Sequence, residues 1–215
     1  MTAPTAGVGS GIASGALLLA DISGYTGFLD AVTIAHHDDL FGGDTVPAAY
    51  PLISTLLDGI IDRLTPPFAL VKLEGDAVFM SGALDDTLPR GTELLDCLAA
   101  CYAGFRDRLG TARELWSCQC DACVRVATLD LKFVLHAGSY VIHSVGGGRE
   151  LAGPDVVIAH RLLKNRAAEV LGTRAYALVT RPAMDRLDIP DGGSTALTEP
   201  LEGDRSMAAQ AFRLG

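Results

Sequence analysis

The sequence predicts an α+β fold with a ferredoxin-like βαββαβ core, a mainly antiparallel sheet and flanking helices. Three observations predict it. Apolar runs and helical stripes follow one another in the order strand, helices, hairpin, helix, hairpin, helix, strand. Two tight-turn signals, at Glu74-Gly75-Asp76 and around Gly138, each join segments of strand character. The chain has neither an internal repeat nor a linker, so its 215 residues make one domain large enough for a substantial core.

In chain order, residues 1–14 are rich in Gly, Ala, Ser and Thr and are expected to form a flexible tail, leaving 15–215 as the domain. Gly15 to Ala20 suits a buried strand that ends in the turn Asp21-Ile22-Ser23-Gly24. A helix is expected to begin at Thr26. Leu52, Ile53, Leu56, Leu57, Ile60, Ile61 and Leu64 form a helical stripe that Pro66-Pro67 stops. Phe68 to Leu73 and Ala77 to Met80 are the arms of the first hairpin, and Thr92 to Trp116 is a long helix. Leu129, Leu131, Phe133 and Leu135 alternate with Asp130, Lys132, Val134 and His136, the pattern of a strand with one buried face. Gly138 is read as a turn and Tyr140 to Val145 as the return strand. Asp155 to Val170 is expected to be one helix, Ala175 to Thr180 a strand, and two short strands close the chain, the last near Ala208 to Leu214.

About half of the residues are apolar and the formal net charge is -9. That balance gives phosphate-backbone binding nothing to work with, so neither a nucleic-acid partner nor an electrostatic membrane site is expected. No apolar run approaches the roughly 20 residues of a membrane span. The N-terminal stretch lacks the pattern of a signal peptide, and five cysteines, three of them within six residues, do not form a secreted disulfide framework. A cytoplasmic protein is expected.

Asp21 and Asp76 stand out for chemistry. Each lies at the end of an apolar strand with glycine close by, where a carboxylate can meet a metal ion and the backbone can approach phosphates. A lone Asp beside Gly is ordinarily a turn former. Context decides between the two. ALLLADISGYTGF resembles the opening of class III adenylyl and guanylyl cyclases, with Tyr25 in the place of a Phe. VKLEGDAVFMSG resembles their Lys-x-x-Gly-Asp hairpin, LKFVLHAG their strand ending in His-x-Gly, and AGPDVVIAHRL their Gly-Asp-x-Val-Asn-x-Ala-x-Arg-Leu helix. The four stand in the family's order over about residues 15 to 180, and the chain also resembles a bacterial subgroup of that superfamily, grouped as a domain of unknown function.

The resemblance implies attack of a ribose 3′-hydroxyl on the α-phosphate of a nucleoside triphosphate, with two Mg²⁺ or Mn²⁺ ions clamping the attacking and leaving oxygens. Asp21, Asp76 and the carbonyl of Ile22 match the metal ligands. Amides of Ser23, Gly24, Tyr25 and Thr26 would face the phosphates. Lys72 and Glu150 match an adenine-reading pair and favour ATP. Arg161 matches the arginine that stabilises charge on the transferring phosphate, and Arg205 falls near the family's C-terminal phosphate-binding lysine. The matching residues imply a homodimer with composite sites. Two departures bear on turnover: Val157 replaces the family's Asn, and Pro154 the usual acidic or small residue after the glycine. A catalytically degenerate domain that binds nucleotide or a protein partner is therefore the alternative, and an interaction module using the cysteine loop a further one.

Cys118, Cys120 and Cys123 form a C-x-C-x-x-C cluster that could hold a structural Zn²⁺ if Cys97, Cys101 or a histidine supplied a fourth ligand. His36-His37-Asp38-Asp39 is read as a solvated segment rather than a metal cluster, Arg166 as a solvated helix arginine, and Trp116 as packing.

Overall fold

The computed structural model describes residues 11–38, 46, 49–115, 118–146 and 148–215. Within them the elements are β1 (Gly11–Ser23), α1 (Tyr25–Ala35), α2 (Ala49–Leu64), β2 (Ala69–Glu74), β3 (Ala77–Ala83), α3 (Gly91–Leu115), a 3₁₀ turn (Cys123–Thr128) and β4 (Asp130–Val145). They continue with β5 (Gly148–Ala152), α4 (Pro154–Arg161), α5 (Ala167–Leu171), β6 (Tyr176–Thr180), α6 (Arg181–Arg186), β7 (Ser194–Pro200) and β8 (Ser206–Arg213). One sheet runs in the order β2-β3-β1-β4-β6-β8-β7, with β5 paired to β4. All described pairings are antiparallel except β4 with β6. The β2-β3-β1-β4 part is the βαββαβ core that the element order predicts.

The sheet is covered on both faces, which explains why β1 reads as a continuous apolar run. Leu18, Ala20 and Ile22 belong to a core with Phe28, Leu56 and Leu98, whereas Leu17 and Leu19 belong to a second core with Phe79, Val156 and Ala159. Leu17, Leu18 and Leu19 are fully buried, and truncating any of them to Ala should cost ~2–5 kcal/mol.

Four expectations change. The strand starts at Gly11, because Gly11 to Ser14 pair with β4 from Ile142 back to Ser139; residues 1–10 of the expected tail, Trp116 and Asp39 lie outside the described residues. Gly138 is no turn. It continues a 16-residue strand, and the Asp155 carboxyl lies 2.2 Å from where a Cβ would be, so close approach of a side chain explains the glycine. The return strand is β5. The second face of β4 is also covered: Val134 and His136 are buried. Finally, the helix expected from Asp155 to Val170 breaks after Arg161. Asn165 donates to the Leu162 carbonyl at 2.7 Å and accepts from the Ala167 amide at 2.7 Å, local bonds that compete with a continuous helix. Arg166 lies at this break, donating to the Thr198 carbonyl and reaching the buried Glu199.

No helix among the described residues is long and apolar enough to cross a membrane.

Candidate active site

β1 and β3 bring the two acidic residues together. Asp21 pairs with Ala77, and the Ile22 amide donates to the Asp76 carbonyl at 3.2 Å, so both acids stand at one end of adjacent strands. They line one cleft of about 440 Å³ with Ile22, Ser23, Gly24, Tyr25 and Thr26. Gly24 begins α1 at a φ of 89°, a left-handed conformation suited to glycine, and no side chain caps this helix. The first amides of α1 are thus left without side-chain capping at the mouth of the cleft. Burial and then the Asp21 charge push the Asp76 carboxyl up from its ordinary value, while Lys132 opposes the rise. Burial and then Asp76 raise Tyr25 likewise.

Three residues of this cleft escaped the sequence reading. Lys132 stands opposite Asp21 in the β1–β4 register, and its Nζ lies 3.0 Å from Asp21 Oδ2 and 3.0 Å from the Leu163 carbonyl. Arg174 reaches the loop that opens α1, its Nη1 lying 3.3 Å from the position of a Cβ on Gly24. Asn165 also accepts from the Tyr176 hydroxyl, whose pKa burial pushes up to about 12. Lys132 was legible as a residue within LKFVLHAG, but only the strand register puts it on Asp21.

A second cleft, of about 730 Å³, lies between β2 and α4. Lys72 and Arg161 line it with Glu74, Val157, His160 and Lys164. No described residue lines both clefts. Lys72 Nζ is 3.0 Å from Glu74 and 3.2 Å from Glu150, so the residues read as an adenine-recognising pair do meet. The Glu74 hydrogen bond, offset by burial and reinforced by Glu150, raises the Lys72 ammonium above its usual pKa. Nε2 of His160 lies 2.9 Å from the Glu74 carboxylate, and the ring stacks edge-on to Phe79. Arg161 is ion-paired with Glu202. Arg205 donates to the Glu202 carbonyl and lines a small adjoining cavity with Arg161 and Val157. Val157 is 58% exposed there and offers no hydrogen bond.

The His-x-Gly and Gly-Pro-Asp motifs join the frame between the clefts. His136 is buried, with Nδ1 2.9 Å from the Thr180 hydroxyl and Nε2 3.3 Å from Asp155, whose other oxygen accepts from the Ser139 amide. Burial lowers the His136 pKa, against the pull of Asp155. This network fixes the start of α4 on β4.

The cysteine loop folds onto the end of α1. Nε2 of His36 lies 3.7 Å from the sulfur of Cys118, 3.4 Å from that of Cys120 and 3.3 Å from that of Cys123. The four ligand atoms all lie within 4.8 Å of one another. His36 is therefore no merely solvated segment, and Cys97 and Cys101 stand elsewhere, on α3.

The fold defines a class: it is that of the class III nucleotide cyclase domains. The guanylyl cyclase Cya2 superposes with a TM-score of 0.61 at 12% identity, covering 97% of this chain and 96% of that one. The adenylyl cyclase CyaB of P. aeruginosa gives 0.59 at 14% identity, covering 97% and 98%. A class III adenylyl cyclase-like ATP-binding protein of Pseudomonas aeruginosa gives 0.59 at 13% identity, covering 85% of this chain and 36% of that one. By sequence, the chain belongs to the family described as protein of unknown function (DUF2652), whose model matches residues 53–170. That stretch holds Lys72, Asp76, the three cysteines and Arg161, while Asp21 and His36 precede it. The uncharacterized protein Rv2561/Rv2562 of Mycobacterium tuberculosis is 34% identical over 113 residues, 53% of this chain, and the chain spans about half the length of that relative.

Proposed function

We infer that two copies of this chain assemble head to tail and convert a purine nucleoside triphosphate, foremost ATP, into its 3′,5′-cyclic monophosphate and pyrophosphate. One observation carries the reading: the two clefts hold complementary halves of the chemistry. One holds paired carboxylates beside uncapped helix amides; the other holds Arg161 and Lys72, which is paired with Glu150. A two-fold axis that faces the first cleft of one copy to the second cleft of its partner completes two sites.

The first cleft fits a divalent cation. Two acids converge there, and the raised Asp76 pKa reflects a charge that burial and Asp21 oppose and a cation would favour. Asp21, Asp76 and the Ile22 carbonyl would hold Mg²⁺ or Mn²⁺, two ions by analogy with the cyclases, which would supply charge neutralisation at the reacting oxygens. Amides from Ser23 to Thr26 bind the triphosphate, assisted by Lys132 and Arg174. In the partner, Lys72 donates to a ring nitrogen and Glu150 accepts from the exocyclic amino group. Arg161 leaves Glu202 to face charge developing on the α-phosphate, with Arg205 beside it. The Arg161–Glu202 pair is solvent-exposed, so exchanging it for phosphate costs little. The reading belongs with a cytoplasmic protein, where nucleoside triphosphates are available.

Val157 favours a second reading, a domain that binds nucleotide without turnover, because an exposed valine stands where the cyclases carry a hydrogen-bonding Asn. Incubation with each nucleoside triphosphate and Mn²⁺, followed by mass spectrometry of products and equilibrium dialysis, separates the two. A cyclic product absent from Asp76→Ala supports the first. Bound nucleotide without product supports the second, and neither binding nor product removes both.

A further inference from the structure

We propose that His36, Cys118, Cys120 and Cys123 form a Cys₃His site for one Zn²⁺ that staples the end of α1 to the loop leading into β4. Hydrogen bonding alone cannot explain the cluster. An imidazole Nε2 has a single direction in which to donate or accept, yet three sulfurs surround it at 3.3 to 3.7 Å. A tetrahedral ion explains all three distances together. With Zn–S of ~2.3 Å and Zn–N of ~2.0–2.1 Å, the nitrogen and each sulfur should be about 3.5 Å apart. The mutual spacing within 4.8 Å suits a single ion and leaves no room for a cluster of several irons. Thiolates with one imidazole select zinc among the divalent ions of a reducing compartment.

The position of the site gives it a structural task. His36 follows α1 directly and its amide still donates to the Val32 carbonyl at 2.9 Å, so the ligand is held on the helix end rather than on a free loop. Cys123 is buried and opens the 3₁₀ turn that leads to β4. The ion thus closes a loop of more than 80 residues between His36 and Cys118, a closure that is costly for the unfolded chain. It joins the helix that starts at the Asp21 loop to the strand that carries Lys132. Four protein ligands leave no open position, so the ion is structural.

The test is metal content and cobalt spectroscopy on the full chain, purified under reducing conditions without chelator. The expected result is one zinc per chain. Exchange with Co²⁺ should give thiolate charge-transfer bands and the intense visible bands of a tetrahedral ion. His36→Cys should keep one metal and shift the cobalt spectrum to that of four sulfurs, whereas His36→Ala should weaken binding at least tenfold. Cys118→Ser with Cys120→Ser should lose the metal and lower Tm by roughly 5–10 °C. Cys97→Ser with Cys101→Ser should keep it. Wild-type protein that holds no zinc and takes none up on titration overturns the proposal even if variants fail to fold. So does zinc retained equally by His36→Ala and by the Cys118→Ser, Cys120→Ser variant, which would be adventitious metal.

Discussion

The two clefts handle charge differently. In the first, Asp21 holds Lys132, while Asp76 stays under strain from burial and from its acidic neighbour. In the second, Lys72 lies between Glu74 and Glu150, and Arg161 is paired with Glu202. On the proposed reading the first cleft gains a cation at Asp76 and the second exchanges ion-pair partners. That difference matches one side receiving a metal-bound triphosphate and the other receiving a base and a transferring phosphate, and each cleft can be perturbed separately.

Removing an acid should have the largest effect. On the proposed reading, Asp21→Ala or Asp76→Ala is expected to lower Mn²⁺-dependent turnover by ~10³ or more, because the cation would lose a ligand and the triphosphate its anchor. Product formation at wild-type rate in either variant would remove that acid from the site. In the second cleft, Val157→Asn is expected to raise kcat by ~10–10² if a missing hydrogen-bond donor limits turnover. Its high exposure should keep stability within ~0.5 kcal/mol of wild type. Steady-state kinetics beside thermal melts read both, and an unchanged kcat would shift the balance toward binding without turnover.

Smaller effects should appear in stability. Lys132→Met leaves Asp21 and Asp76 facing each other without the ammonium, and is expected to cost ~1–3 kcal/mol in urea melts, a loss that Mn²⁺ should largely restore. A melt insensitive to both would mean that the ion pair does not govern the cleft. Asp76→Asn should do the opposite and stabilise the metal-free chain slightly, by less than ~1 kcal/mol after solvent screening. The sign follows from the raised pKa. The folded chain holds the Asp76 proton more tightly than the unfolded chain, so the penalty is absent below the unfolded value of 3.8 and grows as pH rises through the folded one. The advantage of Asn should therefore vanish in acid. His136 acts in the other direction. Its lowered pKa makes the unfolded chain take up a proton first, so stability should fall as pH drops below the ordinary value of 6.5. A His136→Gln variant should show a flatter profile there.

Much of this was legible in the sequence because the relevant signals are local. The strand into Asp21, the hairpin at Asp76 and the stripe from Leu52 to Leu64 each declare themselves within a dozen residues. What escaped depends on chain segments far apart. Lys132 meets Asp21 through strand register, and His36 meets Cys118 across 82 positions. Gly138 misled because glycine marks a turn and a close side-chain approach alike, and only the Asp155 carboxyl lying against it tells them apart. The break after Arg161 was hidden because Asn165 is unremarkable in a helical pattern until its side chain is seen to bond the backbone on both sides.

Subunit complementation tests the central claim most directly. Asp76→Ala disables the first cleft and Arg161→Ala the second, so homodimers of either variant have no complete site. Equal mixing with subunit exchange should place about half of the chains in heterodimers, each with one intact site of two. Cyclic nucleotide formation should then return to about a quarter of the wild-type rate. Confirmed heterodimers that form no product, or wild-type protein that turns over as a strict monomer, would contradict the claim that the two clefts are halves of one site.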